Sequence, residues 1–376
     1  MVVKRRLSSS KSLSSSTSSS RSGSSSEFDI NDHIRANTEQ KRNLYNIKEI
    51  PQNSLSTLQD FLRNRNKTFS ANVTKDCVIY SHENNEVYIN NTRINVYKFL
   101  GNGANGIVFL GIDENGNRCI LKFMKSNKRE VSIMKKISEF VNHIPHFVKL
   151  YSSYDCNKIN LVLNEQFSVI YKPPEFKLYE PYINMLAEKN NKYELLIIEQ
   201  FDGDFEPFFK SINRQINSLD PSKKNYLTQY KRIIEQSNIK EIMTQMYICV
   251  FLLHKIGYYH NDMHLGNFFY KRIINNDNEY FHYNIDGNNY YIKNVGFFIV
   301  LGDYGKTSKI SKNKQKRQKT LIDFNTLNLN AISYGLLDEE VKSIMDDNEL
   351  FQELVDKEIF LTSDKLPRNH VIISSC

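Results

Sequence analysis

The segment His260-Asn261-Asp262-Met263-His264-Leu265-Gly266-Asn267 sets an acid and, five residues on, an amide side chain in one short stretch. Asp262 can take the proton of an alcohol and orient its oxygen. Asn267 can offer a hard oxygen to a metal ion. This H-x-D-x-x-x-x-N layout suits phosphoryl transfer, where positioning and charge neutralisation do most of the chemistry. Eight residues alone are only moderately specific. Further groups in a consistent order add weight. Asp303-Tyr304-Gly305 follows and brings a second carboxylate. Gly101-Asn102-Gly103-Ala104-Asn105-Gly106-Ile107-Val108 precedes and fits G-x-G-x-x-G-x-V in full, with Cys119-Ile120-Leu121-Lys122 after it.

Each piece also has a bland reading. A lone G-x-G-x-x-G more often belongs to a dinucleotide-binding fold, and a single Lys or Glu is by default a surface residue. Context favours the chemical reading. A strand pattern precedes the glycines, and a strand rather than a helix follows them. Glycines without Cβ let backbone N–H groups approach phosphate oxygens. Lys122 ends the next strand and can pair with the α- and β-phosphates if an acid holds it. Glu130 is the best partner, opening a stretch in which Ile133, Met134 and Ile137 repeat with helical period. Glu139 is weaker. The short gap from Lys122 to Glu130 requires a tight connection.

The elements that must position these residues are legible as periodic patterns. Leu55, Leu58 and Leu62 share a face of a short helix over 54–63. Alternation over 86–89 and 93–100 flanks Asn90-Asn91, a good hairpin pair. Strands over 107–112 and 118–123 flank Asp113 to Asn117, a helix covers 128–141, and strands follow near 147–154 and 194–199. The second half differs. A long apolar-periodic helix spans 239–256, a hairpin over 280–285 and 290–295 turns at Asp286 to Asn289, and Val300 and Leu301 lead into Asp303. Helical pattern resumes from Leu321 to the end. There is no internal repeat.

The chain has 376 residues, 40% hydrophobic, with 22 Tyr and 23 Phe, enough for a two-lobed catalytic domain with extensions. Its longest strongly apolar run, Met246 to Leu253, falls far short of a membrane span, and no transmembrane segment is expected. The N-terminus lacks a secretory signal's apolar core. Cys77, Cys119, Cys156, Cys249 and Cys376 are odd in number and lack metal-type spacing, so they read as reduced thiols of an intracellular protein. Residues 8–26 hold fourteen Ser and one Thr and are expected to be disordered. The net charge is +8, concentrated in Lys4, Arg5, Arg6, Lys11 and Arg21, and in Lys306, Lys309, Lys312, Lys314, Lys316, Arg317 and Lys319. Such a block can attract nucleic acid, anionic membrane or acidic protein, or simply be a solvated loop.

From about Asn95 onward these motifs together resemble a eukaryotic-type protein kinase, in a divergent form similar to the serine/threonine kinases of large nucleocytoplasmic DNA viruses. The resemblance implies an α+β fold of two lobes, a β-rich N-lobe and a mainly helical, reduced C-lobe. It divides the chain into a disordered Ser-rich tail at 1–26, an N-terminal extension at 27–94, an N-lobe and hinge at 95–201 and a C-lobe at 202–376. It implies ATP and Mg²⁺ as cofactors and a protein substrate. Gly101, Asn102, Gly103, Ala104, Asn105, Gly106 and Val108 would form the phosphate loop and Lys122 its clamp, held by Glu130. Ile198 would be the gatekeeper, Glu199 and Phe201 the hinge beside adenine, and Asp204 the acid near the ribose. Asp262 would be the catalytic base, and Asn267 and Asp303 the metal ligands. A viral source would place the protein in the host cytoplasm or the virion.

Three departures qualify the resemblance. Asn261 replaces the usual arginine, His264 replaces the lysine that reaches the γ-phosphate, and no A-P-E follows Asp303. Asp323-Phe324-Asn325-Thr326-Leu327 reads instead as the start of a buried helix whose aspartate braces the catalytic loop. A small-molecule phosphotransferase and a pseudokinase scaffold or virion component are the competing readings. The sequence leaves the oligomeric state and any nucleic-acid binding open.

Overall fold

Strand follows strand from residue 78 onward because β-branched and aromatic side chains alternate with polar ones. The computed structural model describes residues 55–65, 78–81, 86–89, 92–103, 106–113, 116–156, 159–162, 193–275, 279–285, 287–310, 320–334 and 369–375. Its first sheet contains β1 (Val78–Ser81), β2 (Glu86–Ile89), β3 (Thr92–Gly103), β4 (Gly106–Asp113), β5 (Arg118–Lys125), β6 (Leu150–Cys156), β7 (Ile159–Val162) and β8 (Tyr193–Glu199), in the order β6-β8-β5-β4-β3-β2-β1-β7. The β1–β7 pair is parallel and the other neighbours are antiparallel. The hairpin expected at Asn90-Asn91 closes with Ile89 opposite Thr92. Strands β1 and β2 thus join the sheet from the stretch expected to precede the N-lobe.

Two helices are described in the same half of the chain. In α1 (Leu58–Asn64), Thr57 caps the N-terminus by accepting from the Asp60 N–H at 3.1 Å. Leu58 and Phe61 turn inward, a narrower face than the leucine spacing suggests. In α2 (Lys128–Phe140), Val131, Ile133, Met134 and Ile137 are buried, as the i, i+3, i+4 pattern requires.

The second half is built around α5 (Ile239–Lys255), preceded by α3 (Glu206–Asn217) and α4 (Tyr226–Gln236). Fourteen of the seventeen residues of α5 are buried, on every face, so it is a core helix rather than an amphipathic one. Strands β9 (Gly203–Asp204), β11 (Phe268–Arg272) and β14 (Phe297–Leu301) form a sheet in the order β14-β11-β9, and β10 (Tyr258–Tyr259) pairs with β15 (Ser308–Lys309). The hairpin β12 (Glu279–Ile285) and β13 (Asn288–Lys293) is extended by β16 (Asn369–Ser375), which runs parallel to β12. The last helix among the described residues is α6 (Thr320–Ser333). The helical pattern expected to reach the C-terminus therefore fails over 369–375. Val371 and Ile373 are buried while Ile372 between them is 64% exposed, a period of two. The α+β class and the more helical second lobe stand as expected.

His146 illustrates how the core constrains titration. Its ring lies between Tyr283 and Phe298, donates Nδ1–H to the Ile299 carbonyl at 2.6 Å and accepts at Nε2 from the Tyr283 hydroxyl at 2.9 Å. Burial pushes the imidazole down to about 3, against the pull of the Ile299 carbonyl. The unfolded chain takes up this proton below pH about 6.5 and the folded chain does not. His146 therefore supports stability fully above that pH and withdraws it as pH falls, by up to about 1.4 kcal/mol per unit. Urea midpoints of wild type and His146→Gln should converge between pH about 6.5 and 4.5. Parallel curves would show that His146 is not the group responsible.

Candidate active site

Lys122 and Glu130 meet through local geometry. Strand β5 ends at Lys125 and α2 begins at Lys128, so two residues make the turn. Glu194, buried on β8, holds that turn by accepting from Ser126 Oγ at 3.1 Å and the Asn127 N–H at 2.9 Å. Asn127 caps the helix by accepting from the Glu130 N–H at 3.2 Å, and its side-chain amide donates back to Glu130 Oε2 at 3.3 Å. This reciprocal pairing, a variant of the capping box, fixes the Glu130 carboxylate. Its Oε1 meets Lys122 Nζ at 2.9 Å, and the same ammonium lies 3.3 Å from Asp303 Oδ1. Burial pulls the Lys122 ammonium down, but Asp303 and Glu130 together raise it above its ordinary value, so it is firmly cationic.

Asn267 and Asp303 are brought together by strand pairing. Asn267 directly precedes β11, Asp303 follows β14 with Gly302 between, and Phe268 sits opposite Leu301 in that antiparallel pair. The Gly302 N–H donates to the Asn267 carbonyl at 3.0 Å, and His260 Nε2–H donates to the Gly302 carbonyl at 2.9 Å. Asn267 is buried and uses its NH₂ on the Asp262 carbonyl at 2.7 Å, which leaves its side-chain oxygen as the possible metal ligand. Asp303 has φ 56° and a 44% exposed carboxylate. Burial raises this carboxyl, but Lys122 outweighs it and holds the group below the usual carboxylate range. Tyr304, the residue replacing phenylalanine, is buried and donates its hydroxyl to the Leu301 carbonyl at 2.6 Å.

Asp262 sits on a loop braced from below. Asp323, at the start of α6 and buried, accepts from the His260 N–H at 2.7 Å, the Asn261 N–H at 2.8 Å and His254 Nε2 at 3.0 Å. This matches the bracing role expected of it. Asn330 on α6 donates to the Met263 carbonyl at 3.0 Å, and the His264 N–H to that of Asp262 at 3.0 Å. Asn261 adopts φ 61°. Of the three non-glycine residues with positive φ among the described residues, Asn261 and Asp303 both belong to this site, where strained backbone commonly collects.

The nucleotide-side residues are placed unevenly. Gly103 pairs with Gly106, making a two-residue hairpin whose tip, Ala104 and Asn105, lies outside the described residues. Gly101 and Asn102 pair with Val108 and Ile107 in the same ladder. A Cβ on Gly106 would lie 2.0 Å from the Phe123 carbonyl oxygen, so close strand packing alone demands glycine there. Val108 faces Lys122 across the β4–β5 ladder, which puts both side chains on one face of the sheet. Phe201 stacks on Phe269 and meets Phe61 edge-on. One Asp204 oxygen accepts from the Glu206 N–H at 3.0 Å at the start of α3, and burial raises that carboxyl despite this bond.

The Glu199 side chain is committed elsewhere. Its carboxylate is buried against Arg65 at 2.6 Å, and the Arg65 guanidinium also donates to the Pro145 and Phe147 carbonyls. Any contact of Glu199 with a nucleotide would thus fall to its backbone. Sequence reasoning did not single out Arg65. It closes the apolar stripe of α1, but nothing in its spacing points to a partner 134 positions away.

The donor set suits a magnesium nucleotide. Two hard oxygens, from Asn267 and Asp303, are too few to hold a cation unaided, which is the usual arrangement for Mg²⁺ completed by phosphate and water. Among the described residues there is no cluster of three or more His, Cys, Asp or Glu able to bind a metal, and no helix long and apolar enough to cross a membrane.

No family model matches the chain. A curated viral protein, "Probable serine/threonine-protein kinase 380R" of Invertebrate iridescent virus 6, is 25% identical over 226 residues, covering 55% of this chain and 35% of that protein. The chain is similar to a divergent viral protein kinase. It spans about a third of that relative's length. Among solved structures, the crystal structure of the BubR1 kinase domain aligns with a TM-score of 0.40 and 17% identity, covering 82% of this chain and 79% of that one.

Proposed function

We propose that the protein is an ATP- and Mg²⁺-dependent protein kinase that phosphorylates Ser or Thr hydroxyls. The observation that carries this reading is the Lys122 ammonium held between Glu130 and Asp303. It joins an N-lobe strand, a helix and the loop after β14 around one cation fit for phosphate. Asp262 accepts the hydroxyl proton and orients the attacking oxygen. Asn267 and Asp303 hold Mg²⁺, which offsets phosphate charge when bound. Lys122 steadies the α- and β-phosphates, and the Gly101–Val108 hairpin covers them. The Ser/Thr preference follows the named activity of the iridescent-virus relative. The buried thiols of Cys119 and Cys249 support an intracellular setting.

The exposed Lys309 continues a basic run whose remainder, Lys312 to Lys319, lies outside the described residues. With Lys306 it favours acidic protein substrates. Incubation of the full chain with labelled ATP, Mg²⁺, casein, histone and a set of small alcohols tests the reading. Label in protein, with casein ahead of histone, is the expected result. Label only in small alcohols would make the protein a small-molecule phosphotransferase, a reading that His264 in the loop favours. ATP binding without transfer to any acceptor would make it a pseudokinase.

A further inference from the structure

A cation rests on the proposed base. Lys306 Nζ lies 2.9 Å from Asp262 Oδ1, and among the described residues it is the one cation paired with that carboxylate. Lys306 ends the short 3₁₀ turn that follows Asp303. Its backbone is anchored on both sides. Asn261, the neighbour of Asp262, donates its side-chain amide to the Lys306 carbonyl at 3.0 Å and to Ser308 Oγ at 2.9 Å. Arg129 on α2 donates to the Thr307 carbonyl at 3.0 Å, and β15 pairs with β10 directly before the loop. The side chain itself is 65% exposed. An ion pair that open adds little to folding, so stability does not explain why such a framework should hold a lysine here.

We propose that Lys306 is a catalytic residue that neutralises the transferred phosphoryl group from the acceptor side, as Lys122 does from the nucleotide side. This rests on the reading of Asp262 as the base. In the transfer, the acceptor O–H proton passes to Asp262 and the acceptor oxygen bonds to the γ-phosphorus. The bond from that phosphorus to the bridging oxygen breaks, and its electron pair leaves on ADP. Negative charge is then spread over three equatorial oxygens. An acceptor hydroxyl bonded to Asp262 stands within about 3 Å of the carboxylate. An ammonium already beside that carboxylate is next to the incoming oxygen and, through it, the phosphorus. The long lysine stem lets Nζ move from Asp262 to the phosphoryl oxygens as the hydroxyl takes its place.

Steady-state transfer from Mg·ATP to casein by the full chain tests this, with Lys306→Met, Lys306→Arg and Asp262→Asn beside wild type. Lys306→Met should lower kcat about 10- to 100-fold. Its KM for ATP should stay within about twofold of wild type, because the ground-state nucleotide is held elsewhere. Lys306→Arg should recover part of the rate. An unchanged kcat in Lys306→Met overturns the proposal, and a raised kcat would show that Lys306 only blocks the acceptor. A loss carried wholly by KM for ATP also overturns it. If Asp262→Asn transfers as well as wild type, or wild type transfers nothing, the underlying reading of the base fails instead.

Discussion

Asp303→Asn and Lys122→Met are each expected to reduce phosphate transfer at least about a thousandfold, since each removes a charge that acts on the phosphates. Asn tolerates the left-handed backbone at 303, so that variant should melt near wild type without ligand. Lys122→Met leaves the buried Glu130 carboxylate with only Asn127, so its unliganded melting point should be lower. The decisive quantity is the shift caused by Mg·ATP. Wild type at a hundred times its dissociation constant should gain about 2.7 kcal/mol, and both variants much less. Equal ligand stabilisation in all three proteins would refute the placement of the nucleotide.

Arg65→Ala should be the most destabilising of the single substitutions named here, by about 3–5 kcal/mol. Arg65 and Glu199 have side chains only 3% and 4% exposed, and the guanidinium also serves two backbone carbonyls. Truncation leaves the buried carboxylate with only the Lys149 N–H, at 3.3 Å, and strands both carbonyl acceptors. The loss should be partly recovered in Arg65→Ala/Glu199→Leu, because removing both charges is far less costly than removing one. Urea unfolding of the four proteins of this cycle measures it. A loss below about 1 kcal/mol in Arg65→Ala would show that water reaches the pair.

Local periodicity was enough to locate most of the elements that carry the site. Strands β4 and β5 and helix α2 each follow from a period of two or of 3.6 in their own residues, and β8 and α5 from unbroken apolar runs of strand and helix length. The pairing of Lys122 with Glu130 was legible because only eight positions, a strand end and a capped helix start separate them. The chemical types at Asp262, Asn267 and Asp303 were legible for a similar reason, since each stands in a short stretch of fixed spacing. Asp323 was recognisable as a brace because an aspartate opening an apolar helix needs buried donors.

The rest depended on distant contacts. Asn267 and Asp303 converge because β11 and β14 pair in one register, and strand register is set by packing of the whole sheet rather than by either segment. Glu199 was expected at the hinge from its position, and its carboxylate is committed to Arg65, 134 residues earlier. Strand β16 was missed because a short apolar run suits helix or strand equally until β12 lies beside it. The contact of Lys306 with Asp262 spans 44 residues and arises from Asn261 and Arg129 gripping the chain around it. Sequence alone therefore determined which groups could do phosphoryl chemistry and which local elements bear them. Only the tertiary structure decided which charges face one another, because charge pairing follows from distance in space and chain spacing constrains that distance for near neighbours only.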